Sequence, residues 1–276
     1  MTSFTLGKRE VALRSHPMSA RSSDTRSPLK RSPLRAPGQW LDERERQLLD
    51  QWTEGYGLAA VCISVLALME WVGVWTDRPR MPWLFTLAAV AAIALAARRL
   101  RRTREQRRRL KLGSEGEKVV GELLEPLRAH GAEVIHDIPA DWGNLDHVVI
   151  SPRGIFVVET KTLSKPGGSP MVVYDGACVT INGSHPSRDP IAQVSRSVQW
   201  LGRLLENPTG REFPIRGVVV YPGWFVDNSA ARGSDTWVLE PKALGKWIAN
   251  EPVRLSAEEV RLAASLVKQH VLRETA

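Results

Sequence analysis

Two mainly apolar runs joined by a short connection most limit how this chain can fold. The runs cover residues 145–150 and 155–161, and a Pro-Arg-Gly sequence at 152–154 lies between them. Proline and glycine favour a tight turn, so this pattern predicts an antiparallel hairpin of two strands. The second run is apolar at every position up to Val158, which is typical of a strand covered on both faces.

Three charged residues, Asp146, Glu159 and Lys161, lie in these two runs with the spacing Asp-x12-Glu-x-Lys. Strand side chains alternate between faces, so Glu159 and Lys161 point the same way, and the hairpin would bring Asp146 to them. Carboxylates held close together repel unless one is protonated or a cation lies between them, and oxygen ligands favour Mg²⁺ or Mn²⁺. The spacing therefore predicts a metal-dependent hydrolase site.

Solvated charges at strand ends are the alternative interpretation of these three residues. The apolar neighbours of Glu159 argue against it, because they predict that the charges are partly buried. Buried charges persist when they are paired or bind a metal. His147 would face away from Asp146 on a regular strand, so it is interpreted as a core or surface histidine and not as a catalytic one.

The basic charge of the chain is concentrated in one short segment. The formal net charge is +8, yet residues 98–112 alone hold nine basic residues and one acidic residue. Residues 113–276 hold 17 basic and 20 acidic residues and are slightly acidic. The overall basicity is therefore not evidence for a nucleic-acid-binding face in the C-terminal part. Only two cysteines occur, Cys62 and Cys178, which argues against a disulfide framework.

Two long apolar segments, residues 57–76 and 82–97, precede the basic segment. We interpret them as a transmembrane helical hairpin covering residues 57–97. The second segment would span only ~24 Å of the ~30 Å hydrocarbon layer, with Trp83 and the following arginines making up the difference. The basic residues after it would hold that side in the cytoplasm. The chain is thus predicted to be an integral membrane protein with both termini cytoplasmic, contacting the lipid bilayer through residues 57–97.

A pair of buried helices in a soluble protein is the other interpretation of these segments. Residues 85–97 have no polar stripe that could face water, which favours the bilayer. Glu70 would be costly within a membrane unless it is protonated, paired across the hairpin or close to the interface. A proton or ion site at Glu70 is the weaker hypothesis, because neither segment carries a second ionisable residue.

The remaining segments differ clearly in composition. Residues 1–39 are rich in Ser, Arg and Pro and predict a disordered basic tail, and residues 40–56 predict an amphipathic helix. Residues 113–276 show, in order, a helix, three strands, a hairpin, a helix and a strand, then a shorter strand and two helices. This order predicts an α/β domain with helices around its sheet.

Three pieces of this domain resemble the nuclease-related (NERD) family of the PD-(D/E)xK nuclease-like superfamily. They are GSEGE at 113–117, NLDHVVISPRGIFVVETK at 144–161 and DPIAQ at 189–193. The resemblance spans residues 113 to about 206, about a third of the chain, and the order and spacing of the pieces are more specific than any single piece. The resemblance implies an α/β fold with a restriction-endonuclease-like mixed sheet flanked by helices, here preceded by the two-helix transmembrane hairpin.

The resemblance also implies roles for particular residues. Asp146, Glu159 and Glu117 would be ligands of Mg²⁺ or Mn²⁺, Lys161 the catalytic amine, and Gln193 a polar residue lining the same site. The implied activity is membrane-anchored hydrolysis of phosphodiester bonds in nucleic acid, with DNA favoured over RNA, on the cytoplasmic side. Two alternatives stay open: Glu117 as a solvated acid in the first turn of a helix, and Gln193 as an exposed helix residue.

The chain departs from the family pattern at two positions. The family often has asparagine before the proline of the DPIAQ piece and after the Glu-x-Lys lysine, where this chain has Asp189 and Thr162. Neither departure removes a proposed ligand, and both bear on how a substrate is held. The competing hypothesis is a membrane-tethered module that binds nucleic acid or protein without turnover, which the slightly acidic C-terminal part supports.

Overall fold

The computed structural model describes residues 35–52, 57–74, 82–164 and 171–275. Most of the predicted disordered tail at 1–39 lies outside the described residues, and so do residues 75–81 and the side chain of Glu70. Three helices come first in the described chain. They are α1 (Gln39–Trp52), α2 (Leu58–Val74) and α3 (Pro82–Leu124), and a 3-10 helix (Glu125–His130) follows α3.

Helix α3 is 43 residues long and joins three segments that the sequence pattern separates. It runs from the second apolar segment through the basic residues to the GSEGE piece without a break. Arg, Lys, Gln, Glu, Leu and Ala are all good helix formers, so the basic segment has no reason to interrupt the helix. The 3-10 helix after it ends at Gly131, whose φ of 80° is the left-handed conformation common after helices.

The prediction of a transmembrane hairpin at residues 57–97 is wrong. Within the described ranges, no helix combines the length and the apolar character needed to cross a membrane. Helix α2 has 17 residues, about 26 Å against a hydrocarbon layer of ~30 Å. The apolar start of α3 passes directly into the arginine-rich stretch. The predicted integral membrane localisation with cytoplasmic termini, and the predicted bilayer contact, are corrected by this finding.

The C-terminal part is built from two sheets and three helices. One sheet has five strands in the order β1-β2-β3-β6-β8, and the other has three in the order β5-β4-β7. The elements are β1 (Glu133–Ala140), β2 (Gly143–Ser151), β3 (Gly154–Thr160), β4 (Met171–Tyr174), β5 (Val179–Ile181), α4 (Pro190–Thr209), β6 (Ile215–Val220), β7 (Phe225–Asp227), β8 (Trp237–Leu239), α5 (Pro241–Asn250) and α6 (Ala257–Glu274).

The five-stranded sheet is mixed and has helices on both faces. Strands β1, β2 and β3 are antiparallel neighbours, whereas β3, β6 and β8 are parallel. One core lies on the α4 and α6 side and includes Val157 and Leu201. The other core lies on the α3 and α5 side and includes Val158 and Leu244. The predicted mixed sheet flanked by helices is confirmed, and β3 is buried at every position, as its apolar run predicts.

The register of the β2–β3 hairpin determines where the charged residues lie. Ser151 pairs with Gly154 and His147 with Val158, so one residue further along Asp146 stands beside Glu159. Both residues are therefore at the end of the hairpin away from its turn. Strand β3 also pairs in parallel with β6, which places Glu159 opposite Val219 near the carboxyl end of β6. The end of β3 is thus surrounded by elements from several parts of the chain.

Candidate active site

Asp146 and Glu159 lie side by side on neighbouring strands and are both buried. Their exposed fractions are 7% and 4%. The backbone N–H of Thr160 donates a hydrogen bond to Asp146 Oδ2 at 2.7 Å. This bond holds the Asp146 carboxylate against the end of β3. The predicted hairpin would bring Asp146 to this position.

Lys161 and Gln193 complete a closed set of hydrogen bonds with Glu159. The Lys161 Nζ atom donates to Glu159 Oε1 at 2.8 Å and to Gln193 Oε1 at 2.7 Å. Gln193 Nε2 donates to the same Glu159 oxygen at 2.6 Å. The side chain of Gln193 therefore orients both the amine and the carboxylate, and it is not simply an exposed helix residue.

The DPIAQ piece explains how Gln193 reaches this position. Asp189 is the N-cap of α4, and its Oδ1 accepts a hydrogen bond from the backbone N–H of Ile191 at 2.8 Å. Pro190 occupies the first helical position, where its missing N–H is not needed. The cap and the proline together fix the first turn, which carries Gln193. An aspartate performs this capping role as well as the asparagine that the family often has.

Glu117 approaches the same region from α3, which packs on the face of the sheet opposite to α4. It lies in the interior of the helix and is 6% exposed, so it is not a solvated first-turn acid. Its Oε2 atom is buried and has no hydrogen-bond partner in the described part of the chain. Close packing at Gly116 makes this approach possible, because a Cβ at that position would overlap the side chain of Thr162 just after β3.

The carboxyl groups of the site repel one another. Burial, followed by the charges of Glu159 and Glu117, raises the pKa of Asp146 well above its usual value. Burial, followed by the charges of Asp137 and Glu159, raises the pKa of Glu117 to about 8. Each of these groups therefore favours a bound proton or a nearby cation at neutral pH.

The chemistry of these residues suits a hard divalent cation. Mg²⁺ is commonly held by one or two carboxylates, with water and substrate phosphate completing its shell. Across the described residues, no three His, Cys, Asp or Glu side chains are gathered closely enough to hold a metal by themselves. Asp146 and Glu159, with the unpartnered Oε2 of Glu117 nearby, therefore fit a cation whose other ligands come from water and substrate.

Two residues of this region were not singled out from the sequence. Asp137 is fully buried, has a φ of 52°, and contributes to the raised pKa of Glu117. Its position inside the apolar run 134–138 was the available signal. Tyr221 follows β6 and is 1% exposed, and burial together with the charges of Glu159 and Asp189 raises its pKa. Its phenol therefore stays protonated at neutral pH.

His147 belongs to the core on the opposite side of the sheet. It is fully buried, and its Nδ1 lies 2.8 Å from the Nδ1 of His136. Burial lowers the pKa of His147 well below its usual value, so the ring is neutral. The other ring nitrogen of His136 contacts Glu125 Oε1 at 3.0 Å. Of the two predicted alternatives, core or surface histidine, the structure shows the core one.

A mixed sheet with two acids and a lysine at the end of its β2–β3 hairpin is the arrangement that the nuclease-like resemblance predicts. The sequence comparisons agree, since residues 112–222 match the model of the NERD family, described as a nuclease-related domain. The chain therefore carries a nuclease-related domain over that range, and the resemblance of the sequence motifs is confirmed there.

The other comparisons add little. No curated protein sequence matches this chain. Among solved structures, SfsA of Pyrococcus furiosus in complex with Ca²⁺ is similar, with 20% sequence identity over 56% of this chain and a TM-score of 0.22. The chain covers 52% of that protein, about half its length, and a likeness this weak carries no functional argument.

Proposed function

We propose that this protein is a metal-dependent nuclease that hydrolyses phosphodiester bonds in nucleic acid, with DNA ahead of RNA as substrate. Residues 113–276 would form the catalytic domain, with a restriction-endonuclease-like fold. The observation that carries the proposal is the buried cluster in which Asp146 lies beside Glu159, and Glu159 is bonded to both Lys161 and Gln193. The family match over residues 112–222 supports the same chemistry.

Each residue has a distinct part in this proposal. Asp146 and Glu159 would bind Mg²⁺ or Mn²⁺ together with water and substrate, and Glu117 would face the ion from α3. The ion when bound lowers the pKa of a water molecule and neutralises phosphate charge. The amine of Lys161 would orient the attacking water and offset the negative charge that develops on the phosphate. Gln193 holds that amine in place through its Oε1 atom. Burial of the carboxylates strengthens these electrostatic interactions.

A module that binds nucleic acid or protein without turnover is the second candidate. The specific observation in its favour is that Glu159 Oε1 already accepts hydrogen bonds from both Lys161 and Gln193. A metal ion at Glu159 would have to share that oxygen or use the other one. The slightly acidic composition of residues 113–276 also fits weak binding by this domain alone.

The test is a cleavage assay on the purified full chain with Mg²⁺ or Mn²⁺, using single- and double-stranded DNA and RNA. We expect the wild type to cut at least one substrate, Lys161→Ala to lose that activity, and a chelator to abolish it. Lys242→Ala is the matched control, because Lys242 is an exposed lysine on α5. Equal cleavage by the wild type and Lys161→Ala would reject the catalytic assignment. Binding without cleavage would favour the second candidate.

A further inference from the structure

A segment before the nuclease-related domain is bound closely to it. We call residues 35–43 the strap. It comprises the residues just before α1 and the first five residues of that helix, and it lies outside the family match at 112–222. Asp42 accepts hydrogen bonds from Ser114 Oγ at 2.6 Å and from Lys118 Nζ at 2.8 Å. These two residues flank Glu117 along α3, so the strap lies on the face of the helix that carries this acid.

The glycines of α3 make room for the strap. A Cβ at Gly121 would lie 2.6 Å from Pro37 Cγ, and a Cβ at Gly113 would lie 3.0 Å from Leu41 Cδ1. Glycine within a helix costs about 1 kcal/mol relative to alanine. The close approach of the strap therefore explains why α3 has glycine at positions 113 and 121, where a side chain would leave too little room.

Gly38 also lies directly against α3. Its φ is +72°, and a Cβ there would lie 2.8 Å from Ser114 Oγ. Burial raises the pKa of Glu117, and the backbone N–H of Gly38, which faces this carboxyl group, lowers it. The second carboxyl oxygen, Oε2, is buried without a partner in the described chain. The strap thus lies against Glu117, whose Oε2 has no protein partner among the described residues.

Asp137 anchors the strap from the sheet side. Its Oδ2 accepts hydrogen bonds from the backbone N–H of Trp40 at 3.0 Å and from Arg35 Nη1 at 3.3 Å. Asn144 Nδ2 donates to its Oδ1 at 2.6 Å. A non-glycine residue with φ of 52° is strained, and such strain persists where the surrounding contacts enforce it, often at functional sites. These contacts join the strap to a residue that adjoins Glu117.

We propose that the strap is part of the candidate active site and that Gly38 is a positioning residue for Glu117. By packing on this face of α3, the strap would hold the Glu117 carboxyl group toward the metal that Asp146 and Glu159 would bind. This inference rests on the proposed metal-dependent function. The inference extends the candidate active site beyond the region that matches the family. The added segment lies more than sixty residues earlier in the chain.

The experiment measures Mn²⁺ binding to the full chain by isothermal titration calorimetry, without nucleic acid. Gly38→Ala and Gly121→Ala each introduce a Cβ that displaces the strap, and Glu117→Gln removes the acid itself. We expect each of the three to weaken Mn²⁺ binding about tenfold, the usual effect of losing a group that orients a metal ligand.

Matched controls separate strap displacement from the general effects of alanine. Gly183→Ala repeats the positive φ of Gly38, at +78°, with no atom within 4 Å of the new Cβ. Gly245→Ala repeats the helical setting of Gly121, with its nearest neighbour at an ordinary 3.7 Å. Both should bind Mn²⁺ like the wild type. Thermal melts check folding, and Gly121→Ala decides the question if Gly38→Ala is unfolded, since alanine favours a helix.

Three outcomes overturn the inference in distinguishable ways. Wild-type Mn²⁺ affinity in Gly121→Ala and in folded Gly38→Ala would show that the strap does not position Glu117. Wild-type affinity in Glu117→Gln would remove Glu117 from the site while leaving the site of Asp146 and Glu159 intact. A wild-type chain that binds no Mn²⁺ would reject the proposed function, and the role of the strap with it.

Discussion

Glu117 and Asp146 are buried acids whose pKa values are raised, first by burial and then by neighbouring charges that include Glu159. Folding gains nothing from such an arrangement, because each ionised group loses hydration and meets a like charge. Perturbed acids gathered around a lysine are typical of functional sites. At the scale of single residues, the cost of burying these acids is the observation that most favours the proposed cation site.

The raised pKa of Glu117 predicts a pH-dependent stability in the metal-free protein. The unfolded chain loses this proton near the ordinary value of 4.5, whereas the folded chain keeps it until about pH 8. The free energy of unfolding therefore falls as pH rises between those values. Glu117→Gln does not titrate, so we expect it to be more stable than the wild type at about pH 8, by on the order of 2–4 kcal/mol.

Urea denaturation of both proteins with a chelator present, from about pH 5 to about pH 8, measures this difference. The gap between the two unfolding free energies should widen as the pH rises. A constant gap across the range would show that Glu117 does not carry a raised pKa in the folded state.

Gln193 offers a second prediction at the residue scale. Its removal leaves the Lys161 amine without one acceptor and Glu159 Oε1 without one donor. We expect Gln193→Ala to lower kcat about 10- to 100-fold while nucleic-acid binding is retained. Gln199→Ala is the control, because Gln199 is exposed on the same helix. An unchanged kcat would mean that the amine needs no support from α4.

Helix α3 is the element that connects most parts of the described structure. It contacts α2 along its apolar start, α1 further on, and the sheet near its carboxyl end. Its last part places Glu117 against the end of β3, and this approach is close enough that only glycine fits at position 116. Packing at Gly116 therefore determines how closely Glu117 approaches the end of β3.

Gly116→Ala tests this packing. The new Cβ would overlap Thr162, so we expect the free energy of unfolding to fall by about 1–3 kcal/mol, even though alanine is the better helix former. Gly245→Ala on α5, whose Cβ has ordinary contacts, should be neutral or stabilising. Chemical denaturation compares the two variants. Wild-type stability of Gly116→Ala would indicate that α3 does not approach β3 this closely.

Charge is distributed unevenly over the whole molecule. Residues 98–112 carry most of the basic excess, are largely exposed on α3, and precede Glu117 on the same helix. Residues 113–276 are slightly acidic. A nuclease whose catalytic domain is acidic needs positive charge elsewhere to hold a polyanion. Under the proposed function, we expect the basic part of α3 to provide that charge.

The salt dependence of nucleic-acid binding tests this division. Each phosphate contact contributes about 0.9 to the slope of log affinity against log salt for duplex DNA. A variant with glutamine at four exposed positions of α3 should make fewer phosphate contacts. We expect the magnitude of its slope, measured without divalent metal, to be smaller than that of the wild type by at least about 1. The changed residues are Arg101, Arg102, Arg104 and Arg108.

The control variant replaces four exposed basic residues of the acidic part with glutamine: Arg188, Lys242, Lys246 and Arg261. Its slope should change much less, because these positions lie outside the basic part of α3. Equal effects of the two variants would show that binding depends on total charge and not on the helix.

The sequence by itself determined the elements from β1 to α6, apart from the three-residue strand β7, and the meeting of Asp146, Glu159 and Lys161. These features depend on alternation along a strand, helix caps and a short turn, all of which act between residues close in sequence. The hairpin at 152–154 alone places Asp146 beside Glu159.

Only the tertiary structure decided the rest. The continuity of α3, the absence of a membrane-spanning helix among the described residues, and the strap were not predictable from local patterns. Arg35 and Asp137 form their ion pair across 102 residues of sequence, and no periodicity signals such a contact. The physical reason is that burial and electrostatic repulsion depend on which distant segments pack together, and folding alone brings Asp137 and Gly38 to Glu117.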